Sequence, residues 1–288
     1  MRHGGYRTVG GCADQGSDPH AAERRLAVDH VRAVHRQLVA PHVFSHESAA
    51  LLWGCALWRA PARTHVVQGY RASGRAAADV ARHRTPVPAD QHAEIDGMPV
   101  TSLERTVVDC ALTMPPLDAL VVADSALRHG LDLGEARAIL AGSRARNGRR
   151  RATWVLEHAD AGAQSPWETW LRYVCLRAGM PRPATQVPVP TRLGEMHCDI
   201  GWPEWGLLAE FDGRSKYRDG ALGAAHDGTT ELLREKRRYE AIREAGHDPV
   251  RVLAVGGAGV DQVVQRLAAR FPPDVRRTFR VNPMLPPP

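Results

Sequence analysis

The chain has 288 residues, 43% of them hydrophobic and 24% charged, an ordinary globular composition with ample length for a buried core. Its formal charge of +6 is compatible with a polyanionic partner without proving one, and of its 38 basic residues all but Lys216 and Lys236 are arginine. No apolar run approaches the ~20 residues of a membrane span, and the first residues lack the apolar core of a signal peptide. Five scattered cysteines with no CxxC pair exclude a disulfide framework and a cysteine zinc site, and they suit a cytoplasmic location.

In chain order, residues 1–18 are Gly-rich and polar and are expected to be disordered. Between residues 21 and 38, Leu26, Val31, Val34 and Leu38 recur at helical spacing. Ser45 is a natural N-cap for a short helix that Gly54 closes. Residues 64–100 read as short strands, with Asp96-Gly97 a two-residue hairpin signal. Thr101 or Ser102 caps a helix whose buried side carries Leu103, Val107 and Ala111. Residues 117–127 and 133–140 read as two further helices. The run 143–151 is the densest basic stretch. Its Arg144, Arg146, Arg149, Arg150 and Arg151 suit a phosphate backbone, and a solvated connector accounts for them equally well.

A second module opens near Gln164. Ser165 is its N-cap, Pro166 sits at N1, and Glu168 completes a capping box. Trp167, Leu171, Val174 and Cys175 form the buried stripe of that helix. A Pro-interrupted edge strand follows. Residues 196–202 and 206–211 then flank W-P-E-W and read as a hairpin. Asp199 lies on its first strand, while Glu210 and Asp212 lie on its second and share a face. Carboxylates set in an otherwise apolar strand point to a bound cation, Mg2+ or Mn2+. A highly charged helix over 229–245, a strand from Pro249 and a helix over 261–271 complete the module. The Pro- and Arg-rich tail is expected to be unstructured.

Two resemblances add to this reading. S-H-E-S-A-A-L-L-W-G and D-G-M-P-V-T-S-L-E-R-T-V-V-D, within residues 43–140, resemble the AbiEi-type antitoxin and transcriptional-regulator family of bacteria. That likeness implies a winged-helix fold, autoregulation of an operon and a toxin as partner. Residues 165–255 resemble the PD-(D/E)XK nuclease superfold and, more closely, its very-short-patch-repair-like (Vsr-like) endonuclease-related domain. S-P-W-E, D-I-G-W-P, E-F-D-G-R-S-K-Y and E-K-R-R-Y-E-A-I-R-E-A-G carry the likeness. By that resemblance Asp199 and Glu210 match the metal-binding acids, and Glu168 matches an acid that some members place on the first helix. The superfold has Lys two residues after the second acid, where this chain has Asp212. Asp212 would then bind a second metal, and Lys216, Lys236 or Arg237 would stabilise the phosphorane.

The expected protein is therefore α/β (α+β), with a winged-helix-like domain over 19–142 and a nuclease-like domain over 164–272. A basic linker over 143–163 joins them, and a disordered tail covers 273–288. The first functional expectation is a magnesium-dependent DNA endonuclease with an N-terminal DNA-binding module. The second is a non-catalytic DNA-binding regulator or antitoxin with a degenerate nuclease domain.

Overall fold

The computed structural model describes residues 19–70, 77–212, 228–253 and 257–288. The segment 1–18 and Lys216 lie outside the described residues. The chain is mixed α/β, with two sheets and a helical layer between them in sequence.

The first sheet is assembled from short strands: β1 (Val43–Phe44), β2 (Thr64–Val67), β3 (Val80–His83), β4 (His92–Ile95) and β5 (Met98–Thr101). Their order is β3-β2-β1-β5-β4. Asp96 and Gly97 both hold positive φ, 51° and 75°, as the tight hairpin between β4 and β5 requires. The sequence suggests a helical domain with one ribbon; this sheet is larger. β1 pairs in parallel with β5, and β2 with β3. Parallel partners come from separate segments and carry no local turn signal.

Helix α1 (Pro19–Gln37) turns Val31 and Val34 onto this sheet, where they join Phe44, Val66, Val80, Met98 and Val100 in a small core. Helix α2 (His46–Leu52) divides its faces: Ala49 joins that core, and Ala50 joins a second, larger one.

The larger core runs through α3 (Leu103–Thr113), α4 (Pro116–Arg128), α5 (Leu133–Gly142), α6 (Arg149–His158) and α7 (Pro166–Arg177) into the second sheet. Residues expected to form a linker thus hold a helix with Ala152, Trp154, Val155 and Leu156 buried. One apolar cluster extends from Ala50 to Leu285, across both of the expected domains, 19–142 and 164–272. Three consecutive arginines at the start of α6 mask its amphipathic pattern. Gly148, at φ 80°, lets α6 begin against the end of α3; a Cβ there would lie 2.2 Å from the Leu112 carbonyl oxygen.

The second sheet has the order β6-β7-β8-β9, formed by β6 (Ala184–Thr191), β7 (Gly194–Trp202), β8 (Leu207–Asp212) and β9 (Val250–Leu253). The first two pairings are antiparallel and the last is parallel, as the crossover through α8 (Gly228–Glu244) demands. Ile242 of α8 packs with Val187, Val189, Cys198 and Leu208 on one face. The opposite face, with Ile200, Ala209, Val250 and Val252, joins the larger core together with α7 and α9 (Gly257–Ala268).

The tail is ordered, contrary to its composition. After α10 (Pro273–Arg276) it docks along α7. Tyr173 Oη donates to the Pro286 carbonyl at 2.8 Å, Arg177 Nε donates to the Leu285 carbonyl at 3.1 Å, and Leu285 is buried. Proline fixes φ, so an extended tail loses little entropy when a groove accepts it.

Arg172 is the largest side chain buried without exposure. Its Nη1 meets Asp124 Oδ2 at 2.6 Å, and its Nη2 donates to the His158 carbonyl at 2.7 Å, which ties α7 to α4 and α6. Thr169 Oγ1 and the Asp160 N–H also donate to Asp124. Removing one partner strands the other charge. Arg172→Met is expected to cost ~3–5 kcal/mol in denaturant unfolding, with the signals from both halves lost in one transition. Two separate transitions would contradict the shared core.

Candidate functional site

The acids of the second sheet lie where β7 and β8 part. Their ladder holds only Ile200↔Ala209, Gly201↔Leu208 and Trp202↔Leu207. Past that point the side chain of Asp199 replaces the missing partner: its Oδ2 accepts the Phe211 N–H at 2.7 Å. Phe211 itself stacks on Trp167 of α7 at 4.9 Å and 7°, and Trp58 meets Trp167 edge-on at 4.9 Å. The aromatic stack pins β8 from beneath, so Glu210 and Asp212 project from the opposite side.

There Glu210 is buried, and its Oε1 accepts from Arg238 Nη2 of α8 at 2.6 Å. The same Nη2 donates to the His197 carbonyl. Asp212 Oδ2 pairs with Arg251 Nη2 at 3.1 Å, and that guanidinium also bonds Glu235 and lies over the Tyr239 ring. The sequence pattern suggested unpaired acids awaiting a cation. Arginines from α8 and β9 are already beside two of them.

Burial pushes the Asp199 carboxyl up to about 7, with Glu168 and Glu210 adding to the rise and the Phe211 N–H and Arg238 opposing it. Burial, with Glu210 beside it, likewise lifts the Cys198 thiol to about 12. Asp199 is thus shared between its acid and carboxylate forms near neutrality, and a bound metal ion would favour the carboxylate.

The remaining expected residues divide. Glu168 closes the capping box: its Oε1 accepts from Ser165 Oγ at 2.9 Å and its Oε2 from the Gln164 N–H at 2.8 Å. It stays close enough to raise Asp199. Lys236 and Arg237 are exposed, and Lys236 reaches Glu240 one turn on rather than the acids. Arg238, one residue further, is the cation that faces them. Helical phase decides this, since residues 235, 238 and 242 share the side of α8 that meets the sheet.

The basic run also divides. Arg149 Nη1 donates to the Leu140 and Ser143 carbonyls, and Arg151 Nη2 donates to the Leu112 carbonyl at 2.5 Å. Both side chains satisfy carbonyls at or just past the ends of α5 and α3. Arg144, Arg146 and Arg150 remain exposed. The sequence reading missed Arg238 and Arg251 as partners of the acids. It also missed a group formed by His46, His65 and His83. Helical phase carried a signal for Arg238; nothing local announced the histidines.

Comparison with known proteins adds relatives without assigned roles. Two uncharacterized proteins of Mycobacterium tuberculosis, from strains CDC 1551 and H37Rv, are each 32% identical over 182 residues. The match covers 62% of this chain and 62% of each relative, so the chain spans under two thirds of their length. No family model matches the chain, and no solved structure matches it.

Two expectations follow from this geometry. A raised carboxyl binds its proton more tightly in the folded chain than in the unfolded one, so stability falls as pH rises from about 4 toward 7. Asp199→Asn removes that slope. In metal-free buffer its stability relative to the unmodified protein is expected to grow across this range, by at most ~4 kcal/mol at ~1.4 kcal/mol per tenfold change in proton affinity. Partial exposure reduces the figure. Thermal melts of both proteins from pH 4 to 8 measure it. Among the arginines, Arg151→Ala is expected to lower stability by ~1 kcal/mol through stranded helix-end carbonyls, whereas Arg150→Ala leaves the melting temperature unchanged.

Proposed function

We propose that the protein is a metal-dependent nuclease acting on DNA in the cytoplasm, with Asp199 and Glu210 as its metal ligands. The observation that carries this reading is the pairing of those two acids at the opening between β7 and β8, on a helix, three-strand, helix, strand core. The donor set suits a hard cation. Asp199 has one oxygen committed to a backbone N–H and Glu210 has one committed to Arg238, which leaves one oxygen from each. Magnesium takes one or two carboxylates and keeps several waters. Asp212 has Oδ2 on Arg251, whose guanidinium also bonds Glu235, and it would take a second ion beside the first.

A divalent ion at that site would supply Lewis-acid polarisation of the phosphate and a more acidic water. The chain's own residues do the rest. Asp199 would hold the ion as its carboxylate, and the Phe211 N–H fixes that carboxylate at the opening. Arg238, on Glu210 at 2.6 Å, would supply the cation that Asp212 does not, by exchanging Glu210 for a phosphate oxygen. Arg144, Arg146 and Arg150 offer exposed charge for the DNA backbone. Among the described residues four cysteines are free and buried, in keeping with a reducing compartment, and no helix is long and apolar enough to cross a membrane.

The arginine pairs favour a second reading, in which the same domain binds DNA without cutting it and serves a regulator or antitoxin that works with a toxin. Glu210 and Asp212 are charge-balanced without a metal, as a retained scaffold would be. A cleavage assay on plasmid, single-stranded and mismatched DNA with Mg2+ or Mn2+ separates the two. Nicking that Asp199→Asn and Glu210→Gln each reduce at least ~100-fold is the expected result. Salt-sensitive DNA binding with no cleavage under any metal transfers the conclusion to the regulator.

A further inference from the structure

The first sheet carries a second constellation, independent of the acids. His46 begins α2, His65 lies on β2 and His83 ends β3, and their ligand atoms all lie within 4.8 Å of one another. His65 Nδ1 faces His83 Nε2 at 3.0 Å. The His46 ring stacks on that of His83 at 3.9 Å and lies 5.3 Å from that of His65. His46 Nδ1 is taken by Ser45 Oγ at 2.9 Å, which leaves Nε2 for another partner. His46 holds φ 52°, in the left-handed region that residues other than glycine seldom occupy. A side chain held there by a costly backbone is a recurring mark of a functional position.

Glu47 supplies the next layer. Its Oε2 is 3.6 Å from His65 Nε2 and is buried without a hydrogen bond. A ligating histidine commonly gives its other ring N–H to a carboxylate, which fixes the tautomer and raises ligand basicity. With His65 Nδ1 on an ion, its Nε2–H points at Glu47, and a small ring rotation closes that bond. Packing alone leaves this buried oxygen unsatisfied and an imidazole pair sharing one proton.

We infer that His46, His65 and His83 bind a borderline divalent transition-metal ion, with zinc as the representative case and Glu47 orienting His65. Three nitrogen ligands leave a fourth position open for water or a small anion, as in sites that do chemistry rather than close a fold. Tetrahedral nitrogens at ~2.0–2.1 Å from zinc lie about 3.3 Å apart, so on binding the His65–His83 pair at 3.0 Å opens slightly while the remaining ligand atoms, within 4.8 Å, draw closer. Imidazole donors select zinc, copper or nickel over magnesium, so this site and the acid site take different ions. Burial lowers all three imidazoles, His65 and His83 to about 4, which favours the neutral form that binds a metal. Positive charge from Arg105 is matched by Asp109 at 2.9 Å.

The test uses the tag-free full chain, stripped with chelator and equilibrated with zinc, with cobalt(II) as the optical probe. About one zinc retained per chain after desalting, and a visible cobalt absorption of tetrahedral strength, are expected. His65→Asn/His83→Asn should abolish both with unchanged circular dichroism. Glu47→Gln, which keeps size and hydrogen bonding, should weaken zinc binding ~10–100-fold. His35→Asn/His42→Asn removes the neighbouring imidazole pair, joined at 3.0 Å, and should change nothing. The proposal is overturned if the unmodified chain retains no zinc and gives no cobalt band. It is equally overturned if binding survives at His65→Asn/His83→Asn or vanishes with His35→Asn/His42→Asn. Should the double variant fail to fold, an unchanged affinity in Glu47→Gln sinks the assignment instead.

Discussion

The buried pair of Arg172 and Asp124 is the constraint on which the rest of the molecule depends. Moving two such charges out of water costs several kcal/mol per ion, and their attraction offsets this only with good geometry and further hydrogen bonds. Those bonds are present: Asp124 accepts from Arg172, Thr169 and the Asp160 N–H, and Arg172 also reaches the His158 carbonyl. The partners come from three places: Asp124 from α4, Thr169 and Arg172 from α7, and His158 and Asp160 from the end of α6. Satisfying one charge therefore requires α4, α6 and α7 to dock together, and docking places the second sheet against the helical layer.

That docking explains why the acid cluster sits on a rigid support. Helix α7 carries Arg172 on one side and Trp167 on another, and Trp167 stacks on Phe211 between the two acids of β8. The tail packs on the same helix, so the chain's end reinforces the element that positions the site. Even Gly179 after α7 serves this contact, since a Cβ there would lie 2.1 Å from the Arg280 carbonyl oxygen. Asp199 pays for its place by desolvation, and the ionic partners of Glu210 and Asp212 offset the like charges on one sheet face.

Local signals were legible where the physics is local. The Ser165 cap and Glu168 box, the Asp96-Gly97 turn, the hairpin around W-P-E-W and the shared face of Glu210 and Asp212 all follow from one to four residues of context. The basic run misled because charge density says nothing of direction. Arg149 and Arg151 turn inward to carbonyls, while Arg144, Arg146 and Arg150 turn outward. The tail misled for a related reason: proline-rich composition describes the free chain and not a groove that receives it.

By itself the sequence determined the helices other than α6 and α10, most strands, the mixed α/β class, and which carboxylates share a strand face, because periodicity of 3.6 and 2 residues fixes these within each element. Only the tertiary structure decided that the two halves share a core, that Arg238 rather than Lys236 or Arg237 meets Glu210, and that Arg251 takes Asp212. It also brought together His46, His65 and His83 from three separate elements. Those outcomes depend on the pairing of elements far apart in the chain, where loop closure and packing, not local spacing, select the partner.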